Sequence, residues 1–237
     1  PTTLLSMVDS SVGGKTGVNL SAGKNLVGAF KQPAFVCADT EVLATLPPRE
    51  WACGCGEVAK TALIDGDEFF FWLSDQVSAV VDRQPDAVSE AIARCVVFKA
   101  DVVAQDKTES CGVRECLNYG HTLAHAIEKL SGYGTYSHGH AVAEGMRFAA
   151  RMGMRFADMP VELAQAQGQL LDDLGLPELD WIASPAQVLD VMKRDKKARR
   201  GQVRFVCLRD VGQWQLQDVA DDVILEELEA YFAQKRR

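Results

Sequence analysis

Pro47-Pro48 divides this chain into two stretches of different character, and the division limits the folds open to it. Upstream, residues 1–47 are rich in Gly, Ser and Thr. They hold one short apolar run, Ala34-Phe35-Val36-Cys37-Ala38, which reads as a buried strand. From Arg49 onward the patterns are mainly helical. Such a sequence must bury its apolar stripes helix against helix, so the expected fold is mainly α. Helices are predicted over 50–63, 67–82, 86–105, 117–130, 138–157 and 160–174, from Ser184-Pro185 through Met192, and from Asp221 to the end. The second should point Phe70, Phe71, Leu73 and Val77 inward, the third Ile92, Cys95, Val96 and Val103. The Val142, Met146, Ala149, Met152, Phe156 stripe reads as core. Val203–Leu208 reads as a strand that turns at Gly212 and pairs back through Trp214-Gln215-Leu216 as a small hairpin.

The 237 residues suffice for one large or two modest domains. A net charge of −8 argues against a general nucleic-acid binder, and no apolar run is long enough to span a membrane. Seven cysteines of irregular spacing, with no C-x-x-C, argue for reduced and mostly buried thiols in a cytoplasmic protein. The abrupt start at Pro1, with no initiator Met, suggests that the chain begins inside a larger protein.

All four histidines fall within twenty positions, His121 to His140, with Glu57 upstream. Neutral imidazole is the commonest protein ligand for zinc-like ions, so the cluster suggests a metal site. His121 and His125 are four apart and share one helical face. That spacing suits two ligands, or one ligand beside a group that steadies it, or two ordinary helical histidines with satisfied hydrogen bonds. It is not the zincin pattern, since no Glu follows the first His.

Asp9-Ser10-Ser11-Val12-Gly13-Gly14-Lys15-Thr16-Gly17-Val18-Asn19 invites comparison with a P-loop, but Asp9 occupies the position where that motif needs its first Gly. The double glycine still permits close backbone approach to a ligand, and Lys15 beside it can neutralise a phosphate. Lys24, Lys60, Lys99, Arg114 and Lys193-Arg194-Asp195-Lys196-Lys197 add scattered cations to an acidic chain. Together they fit a pocket for a small substrate with more than one negative charge.

Several of these segments occur in one order: Pro1–Leu5, Val8–Asn19, Gly23-Lys24-Asn25, Leu46–Glu50, Gly56–Lys60, Leu117–His121, His138-Gly139 and Asp195-Lys196-Lys197. In that order they closely resemble the 3-dehydroquinate synthase family across essentially the whole chain. The resemblance implies that residues 1–47 are the last part of an N-terminal α/β NAD-binding domain and residues 48–237 a helical metal- and substrate-binding domain. It implies zinc, with cobalt as an alternative, on Glu57, His121 and His138. His125 then matches a histidine that contacts substrate rather than the ion. Thr2, Thr3, Lys15, Lys24, Thr45, Leu46 and Glu50 match NAD-contacting positions. Asp9, Lys99, Arg114, Lys196 and Lys197 match substrate-binding positions, and Lys15, Lys60, Asn118 and His125 match positions that orient phosphate and hydroxyls.

The implied reaction converts 3-deoxy-D-arabino-heptulosonate 7-phosphate to 3-dehydroquinate and phosphate, a step of aromatic amino-acid biosynthesis. It runs by NAD-mediated transient oxidation, phosphate elimination, reduction and intramolecular aldol closure. A homodimer is usual in the family. Two departures stand out. The family usually reads His-Gly-Glu-Ala-Val where this chain has His138-Gly139-His140-Ala141-Val142, and its Gly-Leu-Ala-Glu becomes Gly54-Cys55-Gly56-Glu57. Three alternatives stay open: another sugar-phosphate cyclase of the 2-deoxy-scyllo-inosose or aminodehydroquinate type, a metal-dependent polyol dehydrogenase, and an inactive metal-binding fragment.

Overall fold

A computed structural model describes residues 1–20, 23–107, 110–195 and 202–236. After a π-helical turn at Ser6–Ser10 come the antiparallel strands β1 (Lys15–Leu20) and β2 (Gly23–Phe30), and a 3-10 turn at Thr40–Thr45. The helices α1 (Pro48–Asp65), α2 (Asp67–Asp75), α3 (Val77–Val81) and α4 (Pro85–Gln105) follow. A second 3-10 turn (Val113–Asn118) leads into α5 (His121–Ser131), α6 (His138–Phe156), α7 (Val161–Asp173) and α8 (Pro185–Asp195). The antiparallel pair β3 (Val203–Asp210) and β4 (Gln213–Val219) and the helix α9 (Asp221–Lys235) complete the described chain. The fold is mainly α, with two small hairpins. None of the described helices is long and apolar enough to cross a membrane.

The centre of the molecule is α1, in which every residue from Cys53 to Ile64 is buried. Pro48 opens it at a position where a missing N–H costs nothing. It packs on α2, α4 and α6, and α6 lies in turn against α5, α7 and β3. Being buried all round, α1 must satisfy Glu57 and Lys60 internally.

Two turns into α6, another buried carboxylate anchors the helix. Glu144 accepts hydrogen bonds from Leu179 N (3.0 Å) and Tyr231 Oη (2.7 Å) and pairs with Lys235 Nζ (2.5 Å). These contacts dock α9 on α6. The β3–β4 hairpin is fastened at its tip, where Gly212 N donates to Leu63 O (2.9 Å). Arg204 fastens it at its base by pairing with Asp218 and with Glu115 of the second 3-10 turn.

The helical periods and the C-terminal hairpin agree with expectation, Leu216 pairing with Val206 and Trp214 with Leu208. Three local readings do not. Ala34–Ala38 is not a buried strand but exposed irregular chain, with Phe35 82% exposed. Among the described residues no strand pairs with it, and β1 and β2 upstream pair with each other. The helix expected over 67–82 breaks at Gln76, where α2 gives way to a segment rich in β-branched valine. Phe71 points outward, 60% exposed. Finally, the helix expected from residue 117 starts at His121, because Gly120 takes the left-handed conformation (φ +80°) just before it.

Candidate metal centre and anion pocket

Two glycine contacts draw the metal-type residues together. A Cβ on Gly139 would stand 2.0 Å from the carbonyl oxygen of Cys53, and one on Gly56 2.8 Å from Gly139 O. Gly139 N also donates to Cys53 Sγ at 3.2 Å. The backbones of α1 and α6 therefore touch directly, which sets Glu57 beside His138. In the same way, a Cβ on Gly145 would fall 1.9 Å from Gly120 O. The start of α5 is thus pressed onto α6, bringing in His121.

The result is a trio from three helices. Ligand-type atoms of Glu57, His121 and His138 all lie within 4.8 Å of one another. Glu57 Oε1 faces His121 Nε2 at 3.5 Å and His138 Nε2 at 3.4 Å. Behind the rings, His121 Nδ1 lies 3.2 Å from Tyr119 O, and His138 Nδ1 lies 3.5 Å from Glu128 Oε1. On the other side of the carboxylate, Glu57 Oε2 is ion-paired with Lys60.

Charge balance shapes these groups. Burial would push the Glu57 carboxyl up, but Lys60, His121 and His138 override it and hold it well below the carboxylate range. Burial pushes His121 down to about 3 against the pull of Glu57. His138 is raised to about 10, because Glu128 and Glu57 outweigh its burial.

A cavity of about 900 Å³ lies close by, lined by Asp9, Ser10, Lys15, Lys99, Arg114 and residues of β1 and β2. This is within the usual volume for small-molecule sites. Lys99 Nζ reaches Asp9 Oδ1 at 2.7 Å and Asp9 O at 2.5 Å. Lys60 links the two regions: burial would lower it, yet Glu57 first and Asp9 second raise it. Arg114 is carried by a loop tied at Asp106, whose carboxylate accepts from Ser110 N (2.8 Å), Cys111 N (3.3 Å) and Arg114 N (3.2 Å).

Residues 54–198 match the 3-dehydroquinate synthase C-terminal family, and residues 1–53 match the 3-dehydroquinate synthase N-terminal family. The chain belongs to the 3-dehydroquinate synthase family. It is 50% identical over 213 residues to the 3-dehydroquinate synthase of Acidithiobacillus ferrooxidans, covering 90% of this chain and 58% of that one. It is 47% identical over 213 residues to that of Rhodopirellula baltica, covering 90% and 56%. The chain thus spans less than two thirds of these relatives' length. A solved 2-deoxy-scyllo-inosose synthase, complexed with carbaglucose-6-phosphate, NAD+ and Co2+, superposes with a TM-score of 0.84 at 30% identity. That match covers 97% of this chain and 65% of that one. The fold is also that of a 2-epi-5-epi-valiolone synthase from Streptomyces hygroscopicus, with a TM-score of 0.87 at 24% identity, over 99% of this chain and 65% of that one.

Of the residues expected from the synthase resemblance, Glu57, His121 and His138 converge, and Asp9, Lys15, Lys99 and Arg114 meet around the cavity. His125 stands beside the trio, its ring 5.6 Å from that of His121. Asn118 ends the second 3-10 turn and is exposed. Thr3 exchanges hydrogen bonds with Ser6, while Thr2, Thr45 and Glu50 are exposed and Leu46 is buried. Lys196, Lys197 and the side chain of Lys24 lie outside the described residues. His140 turns Nδ1 to Ser137 Oγ at 2.6 Å, the hydroxyl that caps α6 by accepting from His140 N, and does not join the trio.

Sequence reasoning missed Glu128, Tyr119 and Asp106. Glu128 had a signal, since it follows His121 by seven residues and so shares its helical face. The carbonyl of Tyr119 and the loop-tying role of Asp106 had none.

Proposed function

We propose that this chain supplies the metal centre and the anion pocket of a 3-dehydroquinate synthase acting on 3-deoxy-D-arabino-heptulosonate 7-phosphate. The observation that carries the reading is the convergence of one buried carboxylate and two imidazoles beside a cavity ringed with cations. One oxygen and two nitrogen donors, with both rings turning Nε2 to the same carboxylate oxygen, fit a Zn2+ or Co2+ site with room for substrate. An ion held there would supply Lewis acidity at the substrate hydroxyl that is transiently oxidised.

The remaining roles fall to the chain's own groups. Lys99 and Arg114, with Lys196 and Lys197, hold the substrate's anionic groups by charge-assisted hydrogen bonds, and Asp9 keeps Lys99 turned to the cavity. Lys15, Lys60, Asn118 and His125 orient the phosphate and hydroxyls for elimination and ring closure. Thr2, Thr3, Lys15, Lys24, Thr45, Leu46 and Glu50 contribute to the NAD site. Leu4, next to Thr3, packs on Gly54 of α1, and Thr45-Leu46 run directly into that helix. Both segments therefore lie against the N-terminal half of α1. Residues 1–47 act as the end of the NAD-binding domain and residues 48–237 as the metal- and substrate-binding domain of a cytoplasmic homodimer.

The test is an assay of the full-length protein with NAD and the heptulosonate phosphate. One phosphate released per 3-dehydroquinate formed, without net NADH, is the expected result, and His138→Ala should abolish it together with zinc binding. Carbocycle formation from a hexose phosphate alone, or net NADH from an alcohol, would contradict the reading.

A further inference from the structure

The two imidazoles of the trio are backed by different chemistry. His121 turns Nδ1 to a neutral main-chain carbonyl, Tyr119 O, at 3.2 Å. His138 turns Nδ1 to a carboxylate, Glu128 Oε1, at 3.5 Å. In each ring the other nitrogen, Nε2, faces Glu57. A histidine that ligates through one nitrogen needs the proton on the other, and an acceptor there fixes both tautomer and ring plane. A carboxylate does more than a carbonyl, because its charge also raises the basicity of the ligating nitrogen.

We propose that Glu128 is a positioning residue for the metal centre, holding His138 in its Nδ1–H tautomer and strengthening Nε2 as a donor. The proposal rests on the reading of Glu57, His121 and His138 as the metal ligands. Glu128 is buried, 9% exposed, and comes from α5, the helix that also carries His121. One helix therefore supplies a ligand from its first turn and the support for a second ligand from two turns later. His138, the first residue of α6, has its backbone held by the Gly139–Cys53 contact, while its ring is steadied from α5. The two supports act on different degrees of freedom, one on helix position and one on ring rotation.

The experiment compares the full chain with Glu128→Gln, Glu128→Ala and Glu128→Asp. Zinc affinity is measured by chelator competition, the Co2+-loaded forms by visible absorption, and folding of the ion-free forms by urea titration. Glu128→Gln and Glu128→Ala should bind zinc about 10- to 100-fold more weakly and shift the cobalt spectrum, with Glu128→Asp recovering part of the affinity. The ion-free Glu128→Gln chain should lose the stability its pairing with His138 contributes but still unfold in one cooperative transition, which separates the effect on zinc from a general loss of structure. If Glu128→Ala fails to fold, Glu128→Gln decides. Parental affinity and an unchanged cobalt spectrum in Glu128→Gln would overturn the role of Glu128 while leaving the metal centre standing. A parent chain that takes up no ion would overturn both.

Discussion

Glu57 and Lys60 are a charged pair in the middle of a helix with no solvent-facing side, so each depends on the other. Removing one partner of a buried pair leaves an uncompensated charge, at about 3–5 kcal/mol. Lys60→Met should therefore lower stability by about that amount when urea unfolding is followed in chelator. Added zinc should recover part of the loss by supplying charge to Glu57, and equal stability of variant and parent in chelator would count against the pairing. A second residue-scale prediction concerns Asp106. Burial would raise its carboxyl, but three backbone N–H donors and Cys111 hold it down at about 2. A carboxyl depressed in the folded state contributes stability that is present above its unfolded value and lost as pH falls through the folded one. The tie on the Arg114 loop should thus be complete above about pH 4 and released as pH falls toward 2. A carboxyl-carbon NMR titration checks this, and a midpoint near the ordinary 4 would refute it.

At the scale of elements, the glycine contacts place the ligands, and glycines in different settings should respond oppositely. Gly139→Ala adds a methyl where the Cys53 carbonyl already stands, with backbone on both sides and nothing able to yield. It should cost about 1–3 kcal/mol and weaken zinc binding by moving His138 away from Glu57. Gly168→Ala in α7 meets nothing within 4 Å and should stabilise by about 0.5–1 kcal/mol with zinc affinity unchanged. Parallel unfolding and zinc titrations of the two variants would expose an error in either assignment. The same contrast explains what was legible in the sequence. Helical periods announce α4, α6 and α7 because burial on one face repeats at fixed spacing. Glu57 and His138 carry no local sign that they meet, since their meeting depends on Gly56 and Gly139, 83 residues apart along the chain. The family resemblance named the trio where spacing alone left the His121–His125 pair as an equal option. The β1–β2 hairpin went unseen because its residues read as a glycine-rich ligand turn, and Ala34–Ala38 misled because an apolar run becomes a strand only when another pairs with it.

For the whole molecule, an ion on Glu57, His121 and His138 would fasten α1, α5 and α6 at one point. Metal that binds only the folded chain stabilises it by mass action, about 2.7 kcal/mol at a hundredfold excess over the dissociation constant. Zinc should therefore raise the thermal midpoint of the parent chain in a concentration-dependent way, and it should fail to do so in His138→Ala. The net charge of −8 is no obstacle to an anionic substrate, because Lys15, Lys99 and Arg114 gather at one cavity while the acidic excess is spread elsewhere. Every functional role assigned above depends on the trio sharing one ion, and zinc content per chain after equilibration in a chelator-buffered solution tests that most directly. One zinc per chain is predicted for the parent and for His125→Ala, and none for Glu57→Gln, His121→Ala or His138→Ala. A parent chain without zinc, or zinc retained at parental level in any of those last three, would contradict the account.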